Sequence, residues 1–412
     1  MVPEQPAAFR PRAIADVLRP ASADEVAEIV RSGSRPLHPV STGYNWGLGS
    51  ALPVVDGATV LDLSGLDRIR TLDVERGYAV VEPGVTQGAL AEALRDTPRI
   101  FNLTTSSLHT SVIGNALDRG VGLHRARAED LAGLEVVLAD GGVERAGWWP
   151  DTSSGSAQVF TQSSFAVVTA AVVRLLPRPE EVRVLPFTFA ADDLADAVDA
   201  LRSWTAQKLV PPTTRVYNPV AARTGEYLAH VCLSGSGEVV EALGSVLRGA
   251  ARNSPLVEAP SLVDEVVRAH YAGDADPADT WFVRRTGCPA GRVDAELGML
   301  MFLPTVPFSG EATALAAKLV RDCCPEDPAV TITVLDSDTA AHVVAIGFPA
   351  HDPAAVAEAR ESLDRLHQTF AAQGFLPHRR DVDRPAQATA PQSRIGQALD
   401  PDGVFAPGRY SA

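Results

Sequence analysis

The sequence predicts an α+β protein built as two units, and three features carry that prediction. Its 412 residues, 46% hydrophobic and 21% charged, suffice for two or three domains with cores of their own. Up to about residue 181, short strands and helices alternate with glycine-bearing loops. From 182 the order strand–helix–strand–strand–helix runs through twice, as expected of an antiparallel sheet with helices over one face. The division drawn is therefore 1–181 for the first unit and 182–374 for the second. The tail, 375–412, is expected to return to the first unit.

Taken in order, Ser22 is an N-cap for a helix over 23–31, where Val26, Ile29 and Val30 form an apolar stripe. A short buried strand over 36–40 leads into the loop from Ser41 to Ser50, which contains three glycines. Strands follow at 59–63, 69–72 and 79–82, and Pro83-Gly84-Val85 turns the chain into a helix over 86–94. Asp140-Gly141-Gly142 between 134–139 and 143–146 is a hairpin signal. The β-branched run 165–176, ending at Pro177, reads as a buried strand that closes the first unit.

The second unit begins with a strand over 182–189 and a helix over 192–207. Strands near Arg215 and over 227–233 precede a helix over 237–251. After a loop-rich stretch, 253–292, come a strand over 299–303 and a helix over 310–322. Strands over 330–335 and 342–348 and a helix over 353–373 complete the pass. The tail from 393 reads as a helix followed by Asp400-Pro401-Asp402-Gly403.

Composition removes several functions. A net charge of −15 disfavours a nucleic-acid partner, which needs a basic footprint. No segment has the length and apolarity of a membrane span, and residues 1–12 lack the pattern of a signal peptide, so a cytoplasmic location is expected. Cys232, Cys288, Cys323 and Cys324 make no zinc-type pattern and read as reduced and mostly buried, and no metal is expected. Lysine occurs only at Lys208 and Lys318, neither behind a glycine-rich loop, so a Walker-type phosphate loop is absent.

Two glycine-rich segments can carry chemistry. In Ser41-Thr42-Gly43-Tyr44-Asn45-Trp46-Gly47, backbone amides near Asn45 and Trp46 are free to form a nest for a phosphate, against the plainer reading of a structural loop. It lacks the dinucleotide fingerprint spacing, so a Rossmann reading fails. In Gly114-Asn115-Ala116-Leu117-Asp118-Arg119-Gly120-Val121-Gly122, the glycines imply a tight path with polar groups held close to a ligand. The alternative is a solvated turn with Asp118 and Arg119 paired.

Five segments in order resemble flavoproteins of the vanillyl-alcohol oxidase and p-cresol methylhydroxylase (PCMH-type) family. Pro39 to Gly47 is similar to the family's pyrophosphate loop, and Val80-Val81-Glu82-Pro83-Gly84-Val85 to its strand–turn. The stretch from Val112 to Gly122 is close to the one that lies along the flavin. Phe160 to Thr169 is similar to the strand at the adenine end, and Ala398 to Arg409 to the closing motif. The resemblance implies FAD held extended between two small α/β subdomains, under a cap domain whose antiparallel sheet is covered by helices. The implied cofactor contacts are Ser41, Thr42, Gly43, Tyr44, Asn45 and Trp46, then Pro83 and Gly84, Thr105 and Ser106. Gly114, Asn115, Asp118, Val168 and Arg409 complete them.

The implied activity is that of an FAD-dependent oxidoreductase taking a hydride from a small or medium organic substrate, such as an aromatic alcohol, phenol or amine. Oxygen or a redox partner would accept the electrons, with a homodimer as the candidate assembly. Gly374-Phe375-Leu376-Pro377-His378-Arg379 resembles the family's substrate-binding segment. It places Arg379 on the arginine that meets an electron-rich oxygen; a surface cation is the bland alternative. His378 stands where the family has tyrosine and reads as a donor or base, with Tyr44 or His124 in reserve. After Gly122 the chain reads Leu123-His124-Arg125-Ala126 where the family has a tyrosine-bearing segment, so the phenol-binding set is incomplete. The rivals are a flavin-containing cyclase or lyase without net redox change, and a binding protein that has lost the cofactor.

Overall fold

A computed structural model describes residues 5–33, 36–210, 214–260, 264–276, 283, 287–289, 293–385 and 388–410. The chain opens on β1 (Ile14–Leu18), then α1 (Ala23–Arg31), β2 (Leu37–Val40) and β3 (Ala58–Asp62). The three strands form a parallel sheet in the order β1-β3-β2. Ser22 caps α1, its Oγ accepting from the Glu25 N–H at 3.1 Å. Val26, Ala27 and Val30 of α1 bury against Leu37, Leu61 and Phe405. Phe405 comes from the tail, which is bonded to β2: Leu37 N–H donates to Val404 O at 2.7 Å and Ala406 N–H to Leu37 O at 2.7 Å. The Ser41 loop leaves from the carboxyl end of β2, the end where parallel sheets place ligands.

The next strands are β4 (Ile69–Asp73), β5 (Tyr78–Val81), β6 (Arg99–Ile100), β7 (Leu131–Val137), β8 (Val143–Trp148), β9 (Ser153–Ser154) and β10 (Val167–Arg174). All but β6 join one antiparallel sheet, β4-β5-β10-β7-β8-β9. β6 pairs with β11 (Leu176–Pro177) instead. Beside this sheet lie α2 (Gln87–Ala93), capped by Thr86, and the six-residue α3 (Val112–Leu117). Leu90 and Leu94 from the α2 region and Val112, Ile113 and Ala116 of α3 share one core with Val81, Leu134 and Ala171 of the sheet.

The second unit contributes β12 (Glu181–Phe189), β13 (Arg215–Tyr217), β14 (Tyr227–Gly235), β15 (Val257–Glu258), β16 (Met299–Pro307), β17 (Ala329–Val334), β18 (Thr339–Gly347) and β19 (Pro377–Arg379). They make one eight-stranded sheet, β15-β12-β14-β13-β17-β18-β16-β19, antiparallel throughout. Its helices are α4 (Leu194–Ala206), α5 (Pro219–Ala222), α6 (Gly237–Ala251), α7 (Asp264–Tyr271), α8 (Gly310–Cys323) and α9 (Pro353–Ala372). The tail adds α10 (Ala390–Leu399). One face of the sheet packs under α4 and α6, through Phe187, Val231 and Ile332. The same face continues under α8 and α9 through Phe302 and Val344.

The opposite face looks at the first unit. Val184 and Cys232 of that face join the core around β10, and Met301 N–H of β16 donates to Gly47 O at 3.0 Å. α7 packs there too, with Tyr271 in that core. Within the stretch expected to be loop, α7 is therefore helical, and part of the remainder lies outside the described residues. The four cysteines are buried and form no disulfide among the described residues. Among the described residues no helix is long and apolar enough to cross a membrane, and no group of His, Cys, Asp and Glu side chains is arranged to hold a metal ion.

Candidate active site

Where β2 runs out, the Ser41 loop borders a cleft that opens to solvent. Within the loop, the N–H groups of Thr42, Gly43 and Tyr44 make no hydrogen bond to a described residue. Gly43 has φ +76°, a conformation that side chains disfavour and that lets successive amides point together. Of the two amides singled out in the sequence, the Asn45 N–H is taken by Gly43 O at 3.1 Å, and Trp46 does not line the cleft.

α3 forms the facing wall. Ser111 caps it, its Oγ accepting from Gly114 N–H at 3.0 Å and donating to Pro83 O at 2.6 Å. The Ser111 N–H in turn donates to Thr42 Oγ1 at 3.1 Å. Gly114 lets Ser41 approach closely, since a Cβ there would stand 2.4 Å from Ser41 Oγ and push that hydroxyl aside. Ile113, Leu117, Phe160, Val168 and Phe405 give the cleft an apolar lining beside the polar loop.

At one end of the cleft a charged cluster gathers from four separate parts of the chain. Arg379 of β19 donates through Nε to Asp118 Oδ2 and through Nη2 to Asn45 Oδ1, both at 2.9 Å. Asn45 Nδ2 donates to Ser50 Oγ at 2.7 Å and to Asp118 Oδ2 at 3.2 Å. The Tyr410 hydroxyl donates to Asp118 Oδ1, and Arg409 Nη2 to Ser50 Oγ at 3.0 Å. Burial alone would raise the Asp118 pKa. The charges of Arg379 and Arg409 and the hydrogen bonds from Tyr410 and Arg379 outweigh it and hold the carboxyl below its usual range. Asp118 is thus ionised at neutral pH, and burial together with its charge pushes the Tyr410 phenol up, keeping it protonated. The expected alternative, a solvated Asp118–Arg119 turn, is not what forms. Arg119 adopts φ +52° and turns to Thr161, Nε to Oγ1 at 3.4 Å.

Of the groups expected to act on substrate, Arg379 and Tyr44 border the cleft. The Tyr44 ring stacks on His109, centroids 5.4 Å apart. His378 and His124 are not among the lining residues. Burial, aided by the Arg379 charge, lowers the His378 pKa to about 4, so its ring is neutral. His124 packs edge-on to Tyr271, its Nε2 donating to Tyr271 O at 3.3 Å, and burial lowers its pKa to about 4 as well.

Among the expected cofactor contacts, Ser41, Thr42, Gly43, Tyr44, Asn45 and Pro83 line the cleft, as do Gly114, Asn115, Asp118, Val168 and Arg409. Gly84, Thr105 and Ser106 do not. Gly84 serves backbone packing, for a Cβ there would stand 2.3 Å from Ser64 O. Ser106 braces the turn before α3, its Oγ accepting from Thr110 Oγ1 at 2.9 Å.

Sequence reasoning missed Ser50, Gln162 and Tyr410. Gln162, at φ +46°, donates from Nε2 to His378 O at 2.6 Å and so ties the cleft wall to β19 beside Arg379. Tyr410 directly follows a predicted contact, Arg409, which was the one available hint.

Three buried polar atoms on the cleft wall have no protein partner: His38 Nδ1, Asn115 Oδ1 and Arg409 Nη1. Buried polar atoms are rarely left unbonded without a ligand or water to meet them. Together with the free amides of 42–44 and the apolar lining, they fit a dinucleotide with an anionic bridge and a flat ring system. The residues present suit FAD.

A family profile described as FAD binding domain matches residues 14–147. The 4-cresol dehydrogenase (hydroxylating) flavoprotein subunit of Pseudomonas putida is 26% identical, over 99% of this chain and 89% of that protein. The 1'-carboxy-chondrochloren decarboxylase of Chondromyces crocatus is 28% identical, over 96% and 90%. A solved structure of p-cresol methylhydroxylase with substrate bound superposes with a TM-score of 0.85 at 21% identity, covering 98% of this chain and 90% of that one.

Proposed function

We propose that this chain, which carries an FAD-binding domain and the fold of p-cresol methylhydroxylase, is an FAD-dependent oxidoreductase acting on a small or medium organic substrate, an aromatic alcohol, phenol or amine. The observation that carries the proposal is Arg379, pinned by Asp118 and Asn45 at the edge of a cleft that fits the cofactor. FAD, when bound, supplies the hydride acceptor.

The chain's own residues do the rest. Thr42, Gly43 and Tyr44 would meet the pyrophosphate with backbone N–H groups, and Arg409 would add its unbonded Nη1. Arg379 binds Asp118 and Asn45 through Nε and Nη2, which leaves Nη1 to meet the electron-rich oxygen of a substrate. Asp118 fixes the orientation of that guanidinium, and Gln162 fixes the strand that bears it. Tyr44, rather than His378 or His124, is the proton-handling group at the cleft. Residues 1–181 with 375–412 form the cofactor unit and 182–374 the cap, except that β19 of the returning tail adds to the cap's sheet. Oxygen or a redox protein as acceptor, a homodimer and a cytoplasmic location belong to the same reading.

Anaerobic mixing of the FAD-loaded protein with a panel of 4-alkylphenols, benzylic alcohols and benzylamines tests it. Bleaching of the visible flavin band together with oxidised product supports the proposal. A second reading, a flavin-containing lyase with no net redox change, is favoured by the name of one relative, a decarboxylase. Product formation with the flavin band unchanged would select it.

A further inference from the structure

The sheet face above the cleft carries a second guanidinium, Arg215 on β13. Residues directly opposite in an antiparallel pair share a face, so register identifies its neighbours. Arg215 stands opposite His230 of β14 and Thr333 of β17. Thr333 stands opposite Ala341, and Ala341 opposite Thr305. Leu303, two residues from Thr305, stands opposite Arg379. The alternate residues Val216, Ile332 and Val334 lie in the core under the helices. Arg215 and Arg379 therefore look from one sheet face toward the cofactor-binding half.

Arg215 is 6% exposed, and among the described residues its side chain has no hydrogen bond and no ion pair. None of its nitrogens is among the fully sealed unbonded atoms, so the guanidinium keeps a little exposed surface. Its neighbour Thr333 is 4% exposed, and its hydroxyl likewise has no protein partner among the described residues. Two other buried arginines are matched by carboxylates, Arg12 by Asp383 and Arg127 by Asp130. A guanidinium this deep is costly without a counter-charge, so a partner from outside the chain is called for. On the same strand as Arg215, the Tyr217 ring lies edge-on to the His230 ring, centroids 5.2 Å apart. Burial and the Arg215 charge lower the His230 pKa to about 4, leaving a neutral imidazole beside the guanidinium.

We propose that Arg215, with the Thr333 hydroxyl and the His230 ring beside it, binds a carboxylate carried by the substrate. Arg215 and Arg379 stand four strands apart, on the order of 19 Å along the sheet. The substrate is thus an extended organic acid whose oxidisable end lies at the cleft, not a small neutral phenol. This deepens the oxidoreductase reading and rests on it.

The test measures binding, not turnover. FAD-loaded wild type, Arg215→Met and Arg215→Lys are titrated calorimetrically with ω-(4-hydroxyphenyl)alkanoic acids of increasing chain length, each beside its methyl ester. The wild type is expected to favour an acid over its ester by about tenfold or more, the worth of a charge-assisted hydrogen bond. Arg215→Met erases that difference without lowering the thermal midpoint, whereas a purely structural arginine would lower it; Arg215→Lys keeps part of the preference. A wild type that does not discriminate acid from ester, or Arg215→Met that still does, overturns the proposal. Should Arg215→Met fail to fold, Thr333→Val decides: a several-fold loss of preference supports the site, and an unchanged preference overturns it. Acid preference without flavin bleaching would leave the site standing and remove the oxidation reading; bleaching without acid preference would do the reverse.

Discussion

Arg379 and Asp118 lie 261 positions apart in the chain, yet the guanidinium Nε sits 2.9 Å from the carboxylate Oδ2. The pair joins β19 of the eight-stranded sheet to the end of α3, so it links the two halves that enclose the cleft. Both side chains are largely shielded, at 13% and 15% exposure.

Breaking this pair from the acidic side leaves a shielded guanidinium uncompensated. Asp118→Ala is expected to lower the unfolding free energy by roughly 3 kcal/mol, the usual loss when one partner of a buried pair is removed. Urea denaturation of the two proteins at neutral pH and equal FAD loading measures it.

Arg379 itself is expected to matter for turnover more than for folding. Arg379→Lys keeps the charge but loses the planar fork that holds Asp118 and Asn45 together and that, on the proposed function, also meets a substrate oxygen. A fall of about a hundredfold in kcat/KM is expected, equivalent to roughly 2.7 kcal/mol of lost transition-state stabilisation. Steady-state kinetics normalised to flavin content separates this from loss of cofactor.

Gly47 sits at the seam between loop and cap. It has φ +67°, and a Cβ there would stand 2.7 Å from Met301 Cγ and 2.9 Å from Met301 N. Backbone cannot move aside as a side-chain tip can, so Gly47→Ala is expected to cost about 1–3 kcal/mol and to reduce the FAD retained on purification. The ratio of visible to ultraviolet absorbance, with a thermal melt, reads both.

Acid sensitivity should arise from histidines above the carboxylate range. Burial lowers His38, His124, His230, His342 and His378 to about 4, against roughly 6.5 in the unfolded chain. Between those values the unfolded chain holds more protons, so stability rises with pH there and is lost on acidification from about 6.5 toward 4. Asp118, depressed in the fold, adds its own loss at lower pH, as pH falls through its folded pKa. His342 is fully buried with Nε2 unbonded, so His342→Leu is expected to flatten the slope. Urea midpoints between pH 5 and 7.5 check this: an unchanged slope would show that His342 contributes nothing.

Where structure depends on local pattern, the chain was legible. The stripe behind Ser22 gives α1 over its expected span, Asp140-Gly141-Gly142 turns β7 into β8, and the two-pass order yields one antiparallel sheet. What escaped depends on contacts far along the chain. β1 is half exposed and lacks clean alternation, being held by its parallel pairing to β3. α3 was hidden by Gly114 and Asn115, both poor helix formers, of which Gly114 faces the close approach of Ser41. The Asn45 N–H, a nest candidate in the sequence, is used by a backbone bond to Gly43 O, a contact that no sequence pattern signals. No periodicity signals that Tyr410 would reach Asp118.

A crystal structure of the protein loaded with FAD tests the central claim most directly. The expected result is the pyrophosphate against the amides of Thr42, Gly43 and Tyr44, with the ring system running along α3 toward Arg379. Electron density for the dinucleotide outside this cleft, or a protein that takes up no FAD at all, would contradict it.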